Sequence, residues 1–208
     1  DVDIAVRDAV REFIDKEVRP HVDALESGEM EPYPVIRKLF ATFGIADMAR
    51  RVGNAFERFW NAEADGLYDV IDGPKGADPT VRPNQLLAVS LPDSPLAAPR
   101  RRAVVDCCAR SLLVARGLRS LDPEDRRYRG SEAAGEAALD VAWHQGAAWV
   151  WLLPHYALAH YRVYRDRGRA LALLEPLDGL LEQQGLGQLG QRMDGDAPHA
   201  ARGAIAYA

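Results

Sequence analysis

The stretch of this 208-residue chain best equipped for chemistry is Trp143-His144-Gln145-Gly146-Ala147-Ala148-Trp149-Val150-Trp151-Leu152-Leu153. It gathers three of the four tryptophans beside a histidine and a glutamine. Indole faces stack on sugar rings and other flat apolar surfaces, and His and Gln supply donors and acceptors next to them. The same residue types also build a buried aromatic cluster whose polar tips bond internally. Composition alone leaves both uses open.

Several elements must position that stretch. From Ala147 to Ala159 nearly every residue is apolar, with no amphipathic stripe. This predicts a helix buried on all sides, its polar aromatic first turn facing a ligand. Before it, Gly117 to Gly135 reads as a long polar loop rich in Arg, Asp and Gly, of a length that is usually functional or disordered. A helix entered near Pro99 carries Val104, Val105, Cys108, Leu112 and Leu113. Asp78 to Gln85 is a loop leading into a helix over Leu86 to Leu91. Gly66 to Gly73 reads as a short strand with an Asp-Gly turn. After the central helix comes an outer amphipathic one, Gly168 to about Gln184, with Leu171, Leu174, Leu177 and Leu181, and then a glycine-rich tail from Gly185. The first fifty residues form a separate pair. One helix over residues 3 to 18 ends at Pro20. A second starts near Pro32, buries Val35, Ile36, Leu39, Phe40 and Phe43, and stops at Gly44. From residue 51 the alternation of buried and amphipathic helices is that of a toroid of helical hairpins. The absence of a fixed-length repeat argues against a regular solenoid.

Composition narrows the function classes. A net charge of −5 without a long basic run favours neither nucleic acid nor an anionic membrane surface. No apolar run reaches membrane-spanning length and no secretory leader opens the chain, so a soluble, cytoplasmic protein is expected. The chain begins at Asp1 rather than Met, consistent with an upstream piece absent from it. The adjacent Cys107 and Cys108 suggest neither a disulfide framework nor a metal site.

Residues 5–13, Glu17 to Pro20 and Pro34 to Ile45 resemble the opening helices of an acyl-CoA dehydrogenase, over about residues 1–50. No flavin-contacting segment follows, so that resemblance supplies no site residue. A second resemblance covers about residues 55–208. Phe59-Trp60-Asn61, Leu67-Tyr68-Asp69-Val70, Arg82-Pro83-Asn84-Gln85, Gly117-Leu118-Arg119-Ser120-Leu121, Tyr128-Arg129-Gly130, His144-Gln145-Gly146 and Asp194-Gly195-Asp196-Ala197-Pro198-His199 match, in order and spacing, the amylo-α-1,6-glucosidase domain of glycogen debranching enzymes. The resemblance implies an all-α fold, a partial (α/α)6 barrel with a short β-hairpin, behind the N-terminal helix pair. It also implies hydrolysis of α-1,6 branch points by two carboxyl groups, with no metal and no cofactor. By the same resemblance Tyr68, His144, Gln145, Trp149 and Trp151 line the pocket. Arg82, Asn84 and Gln85 organise the sugar-facing loops, although an Arg and an Asn around a proline equally bind backbone carbonyls and cap a helix.

Two departures bear on activity. The family tail reads Ser-Glu-Ile-Phe-Asp-Gly-Asp, and its glutamate is the expected general base. Aligned through Asp194-Gly195-Asp196, that position is Gln191, and a primary amide cannot take the proton of water at neutral pH. The general acid belongs to an earlier family segment with no counterpart in this chain. Normal turnover is therefore not expected, although Asp194 and Asp196 are nearby carboxylates. The partner expected is an α-glucan, with another chain as a candidate cover for the open side of the half barrel. Competing readings are a non-catalytic helical interaction module, a hydrolase using Asp194 or Asp196 as base, and a dehydrogenase fragment.

Overall fold

The computed structural model describes residues 2–131, 143–180 and 190–205. The far end of the polar loop, Leu181 and Gln184 of the outer helix, Gly185 and the last three residues lie outside the described residues. The chain divides into two compact units, Asp1–Ala55 and Phe56–Ala208.

The first unit is helical. Helix α1 (Val2–Phe13) passes through a π-turn at Ile14–Val18 and a 3-10 turn at Arg19–His21 into α2 (Val22–Glu26). Pro20 does not end the helical run. It sits in the first turn of the 3-10 segment, where its missing N–H leaves no bond unmade. Helix α3 (Tyr33–Thr42) follows, with Pro34 in its first turn, then Gly44 at φ +61° and α4 (Ile45–Phe56). Phe13 is buried and meets Phe43 edge-on, with ring centroids 5.8 Å apart. Val35, Leu39 and Phe43 are half-buried, whereas Ile36 and Phe40, also expected inside, are 41% and 45% exposed. On a helix of this length residues four apart share one stripe, and the stripe one residue further round faces water.

The second unit has a helical core. A 3-10 turn (Pro83–Leu86) runs into α5 (Leu87–Ser90), and these pack with α6 (Ala98–Ser111) and α7 (Leu152–Tyr164). Leu86, Val89, Val104, Val105, Cys108, Leu112 and Leu153 are buried among them. Pro99 opens α6 as the sequence predicts, and the apolar spacing 104, 105, 108, 112 puts one face on the core. α7 ends where Arg165 takes φ +57°, and the Asp166 carboxylate then accepts from Arg169 N at 2.8 Å to cap α8 (Arg167–Ala172). The outer helix thus divides into α8 and a 3-10 turn, Glu175–Leu180. Among the described residues no helix is long and apolar enough to cross a membrane.

The structure is helix-rich, as expected, and carries more antiparallel strand than the one short hairpin anticipated. Two short antiparallel pairs join β1 (Trp60–Asn61) to β2 (Gly66–Leu67) and β3 (Val70–Gly73) to β4 (Gly76–Asp78). A further antiparallel sheet has five strands in chain order: β5 (Leu113–Val114), β6 (Gly117–Arg119), β7 (Ala148–Trp149), β8 (Gly190–Met193) and β9 (Ala201–Ile205). Most of these strands are too short to display a period of two, so hydrophobic patterning cannot reveal them. The expected strand Gly66–Gly73 is split into β2 and β3 by Tyr68 and Asp69, whose amides donate to Phe59 O and Asp78 O. Gly117–Arg119, expected in a loop, is a strand, and Ala147–Ala159 is not one helix. Ala148 and Trp149 form β7, with Trp149 between Leu118 and Arg192, a turn follows at Val150–Trp151, and α7 starts only at Leu152.

One histidine of α7 gives a pH prediction. His160 Nδ1 is buried without a hydrogen-bond partner, and the ring lies between Tyr156 and Tyr164, with centroids 6.3 and 4.7 Å away. Burial holds its imidazole below the ordinary value, opposed only in part by Asp166. A folded-state pKa below the unfolded one gives stability that is fully present above the unfolded value of about 6.5 and lost below it, as the pH falls through the lower folded value. The urea midpoint should drop between about pH 7 and about pH 5 by more in the wild type than in His160→Phe. Equal drops would show that another group carries the dependence.

Candidate functional site

Arg82 joins the recognised motifs. It stands in extended backbone just before the 3-10 turn, where Pro83 fixes the turn's first residue. Its Nη1 donates to Ser120 O at 2.9 Å and to His144 O at 2.5 Å, and its Nη2 donates to Gln145 Oε1 at 3.1 Å. Its Nε lies 3.4 Å from Asp69 Oδ2, with both side chains 15% exposed. Asp69 also accepts from Asn84 Nδ2 at 2.9 Å. Gln85, buried, donates to Arg82 O and accepts from Leu67 N, each at 3.1 Å. The guanidinium therefore does bind backbone carbonyls, and Asn84 holds Asp69 rather than capping the turn.

Behind this hub, three segments touch backbone to backbone. Gly195 N donates to Gly130 O at 2.6 Å, and Ser120 Oγ accepts from Gly146 N at 2.9 Å. Tyr128 OH and Ser131 Oγ both donate to the Asp196 carboxylate at 2.9 Å. Burial pushes the Tyr128 phenol up to about 12, and its bond to Asp196 adds to that rise. A bond from Arg127 holds Asp125 down at about 2, and the Thr80 hydroxyl lowers Asp78.

Two cavities open at the hub. One, of about 370 Å³, is lined by Arg82, Asn84, Ser120, His144, Trp149 and Trp151. Trp151 is 50% exposed and meets His155 edge-on, while Trp149 stands edge-on to Trp143 at 6.2 Å and donates from Nε1 to Trp143 O. The other, of about 390 Å³, has Tyr68, Asp69, Arg82, Asn84 and Gln85 at one end and an apolar body. The expected pocket residues are thus divided between two neighbouring cavities with a common wall, Arg82 and Asn84. Gln145 lines neither and serves Arg82.

Gln191, Asp194 and Asp196 also line neither cavity. Gln191 is half-buried on β8. Asp194 is 6% exposed, its amide donating to Ala200 O and its carbonyl 3.0 Å from His199 Nδ1. Among the described residues the one carboxylate lining either cavity is Asp69, whereas glycoside hydrolysis uses two flanking the bond. Asp69 and Ser120 are site residues that the sequence reading passes over, although both lie inside recognised motifs. Arg192, with its guanidinium 5.0 Å from the Trp143 ring centroid, carried no sequence signal at all.

A helix-rich unit with small antiparallel sheets, its motif residues drawn around one arginine, defines the class of protein. The family described as amylo-alpha-1,6-glucosidase matches residues 29–208. The chain belongs to that family, a glucosidase family of the glycogen-debranching type. The match begins well before residue 55 and takes in α3 and α4. No curated protein matches the chain.

Proposed function

We propose that the chain binds α-glucan in the tryptophan cavity and hydrolyses it slowly if at all. The observation that carries this reading is the cavity in which Trp149, Trp151 and His144 stand beside Arg82 and Asn84. Its volume of about 370 Å³ is within the range of small-ligand sites. Indole faces and a histidine suit a ring whose faces are apolar and whose edge carries hydroxyls. On this reading Gln191 occupies the base position, and the lost proton acceptor lowers the rate by a factor of about 10²–10⁴. The segment after residue 51 is part of an (α/α)6 barrel, no cofactor enters, the setting is cytoplasmic, and the dehydrogenase-like helices supply no residue.

Isomaltose, titrated while tryptophan fluorescence and sedimentation are followed, should give a saturable change in a monodisperse sample. Trp151→Ala, at a half-exposed position the fold tolerates, should weaken binding at least about tenfold, and Trp149→Ala should abolish it. Glucose release by the wild-type chain should be at least about a hundredfold slower than by a Gln191→Glu variant. A well-folded sample with no isomaltose response would remove the reading, as would unchanged affinity in both variants.

A further inference from the structure

The second cavity is unsuited to a further sugar. Its body is made by Phe56, Phe59, Leu87, Ala88, Leu91 and Pro92. Phe56 and Phe59 stack there with centroids 5.0 Å apart. Most of the polar groups in its lining are already engaged, Thr80 Oγ1 donating to Asp78 and Ser94 Oγ to Ala88 O. Asp69 accepts from Asn84 and faces Arg82, while Gln85 uses its amide nitrogen on Arg82 O and its oxygen on Leu67 N. A second glucose unit would bring hydroxyls that this wall leaves unbonded, at a cost for each. An alkyl or aryl group brings none and removes apolar wall from water.

Both cavities are lined by Arg82 and Asn84, and Asn84 is exposed, so they are neighbours at the surface. We propose that the site takes an amphiphilic glycoside, with its sugar in the tryptophan cavity and its neutral apolar aglycone across the Arg82–Asn84 wall in the phenylalanine cavity. The inference rests on the sugar-binding reading above. An isomaltose ligand would leave its second ring in solvent, so the two ligands share the sugar position and differ in the aglycone.

The test is calorimetry with methyl, butyl and hexyl α-glucosides, each below its micellar concentration, alongside isomaltose. Affinity should rise about fourfold for each methylene that is fully buried. Ala88→Phe fills the apolar cavity and should flatten that series while leaving methyl glucoside and isomaltose unchanged. Leu91 is 49% exposed at the cavity rim, so Leu91→Gln spares the core and should reduce the slope. Equal affinities from methyl to hexyl, with isomaltose still binding, would overturn the aglycone site and leave the sugar site standing. A chain-length slope that persists in both variants would also overturn it, because the alkyl chain would then lie elsewhere. If no glucoside and no isomaltose bind, the sugar reading fails and the inference with it.

Discussion

Replacing Arg82 by methionine should destabilise the second unit by about 3–5 kcal/mol in urea denaturation. The side chain is 15% exposed and satisfies the carbonyls of Ser120 and His144, the amide of Gln145 and one side of Asp69. Methionine fills most of the volume and offers no donor. Two carbonyls and the Gln145 side-chain oxygen then lose this donor at once, and the mostly buried Asp69 loses its counter-charge while keeping Asn84. Such unpaired groups cost far more than the intact bonds contribute. Arg82→Lys should recover little of the loss. An ammonium on a flexible stem cannot reach both carbonyls and the Gln145 oxygen in the fixed fork that a guanidinium holds. A loss below about 1 kcal/mol in Arg82→Met would mean that the hub is incidental to stability.

The second large effect is steric. A Cβ added at Gly195 would lie 2.0 Å from Gly146 O, and one at Gly146 would lie 2.6 Å from Arg129 O. Both obstacles are backbone, which has no rotamer to move. Gly146 also holds φ +147°, where a side chain is strained in any case. Gly195→Ala and Gly146→Ala should each cost at least about 3 kcal/mol or prevent folding. Gly179→Ala, with open space at its Cβ, is the control and should stay within about 1 kcal/mol of the wild type. Similar melting temperatures for all three variants would contradict the close backbone contact described here.

How far the sequence disclosed this arrangement depends on the kind of signal. Helices with a stripe and a proline start, α6 above all, were legible because burial of one face repeats every turn. Residues 147–159 misled because a run of apolar residues has no period that could separate a two-residue strand, a turn and a helix. Arg82 and Asn84, within one of the motifs that carry the resemblance, line both cavities. The hydrogen bonds give several of these motif residues a structural role. Arg82, Gln85, Tyr128, Asp196 and the glycines at 130, 146 and 195 hold one another. Much of that motif set therefore describes the scaffold.

The five-stranded sheet keeps chain order, and that order bears on how fast the site assembles. β5 and β6 are a local hairpin, but β6 meets β7 only across about thirty residues, and β7 meets β8 across about forty. Trp149 belongs to the two-residue strand that closes both of those long loops. Loop closure must be complete before such pairings contribute, so contacts of high sequence separation form late. The neighbouring α5 and α6 and the β5–β6 hairpin can form first, whereas α7 reaches α6 only across about forty residues. Refolding followed by Trp149 should therefore lag formation of the α5–α6 pair and the β5–β6 hairpin. The tryptophan cavity would then be among the last parts of the molecule to form and, on dilution into denaturant, among the first to open.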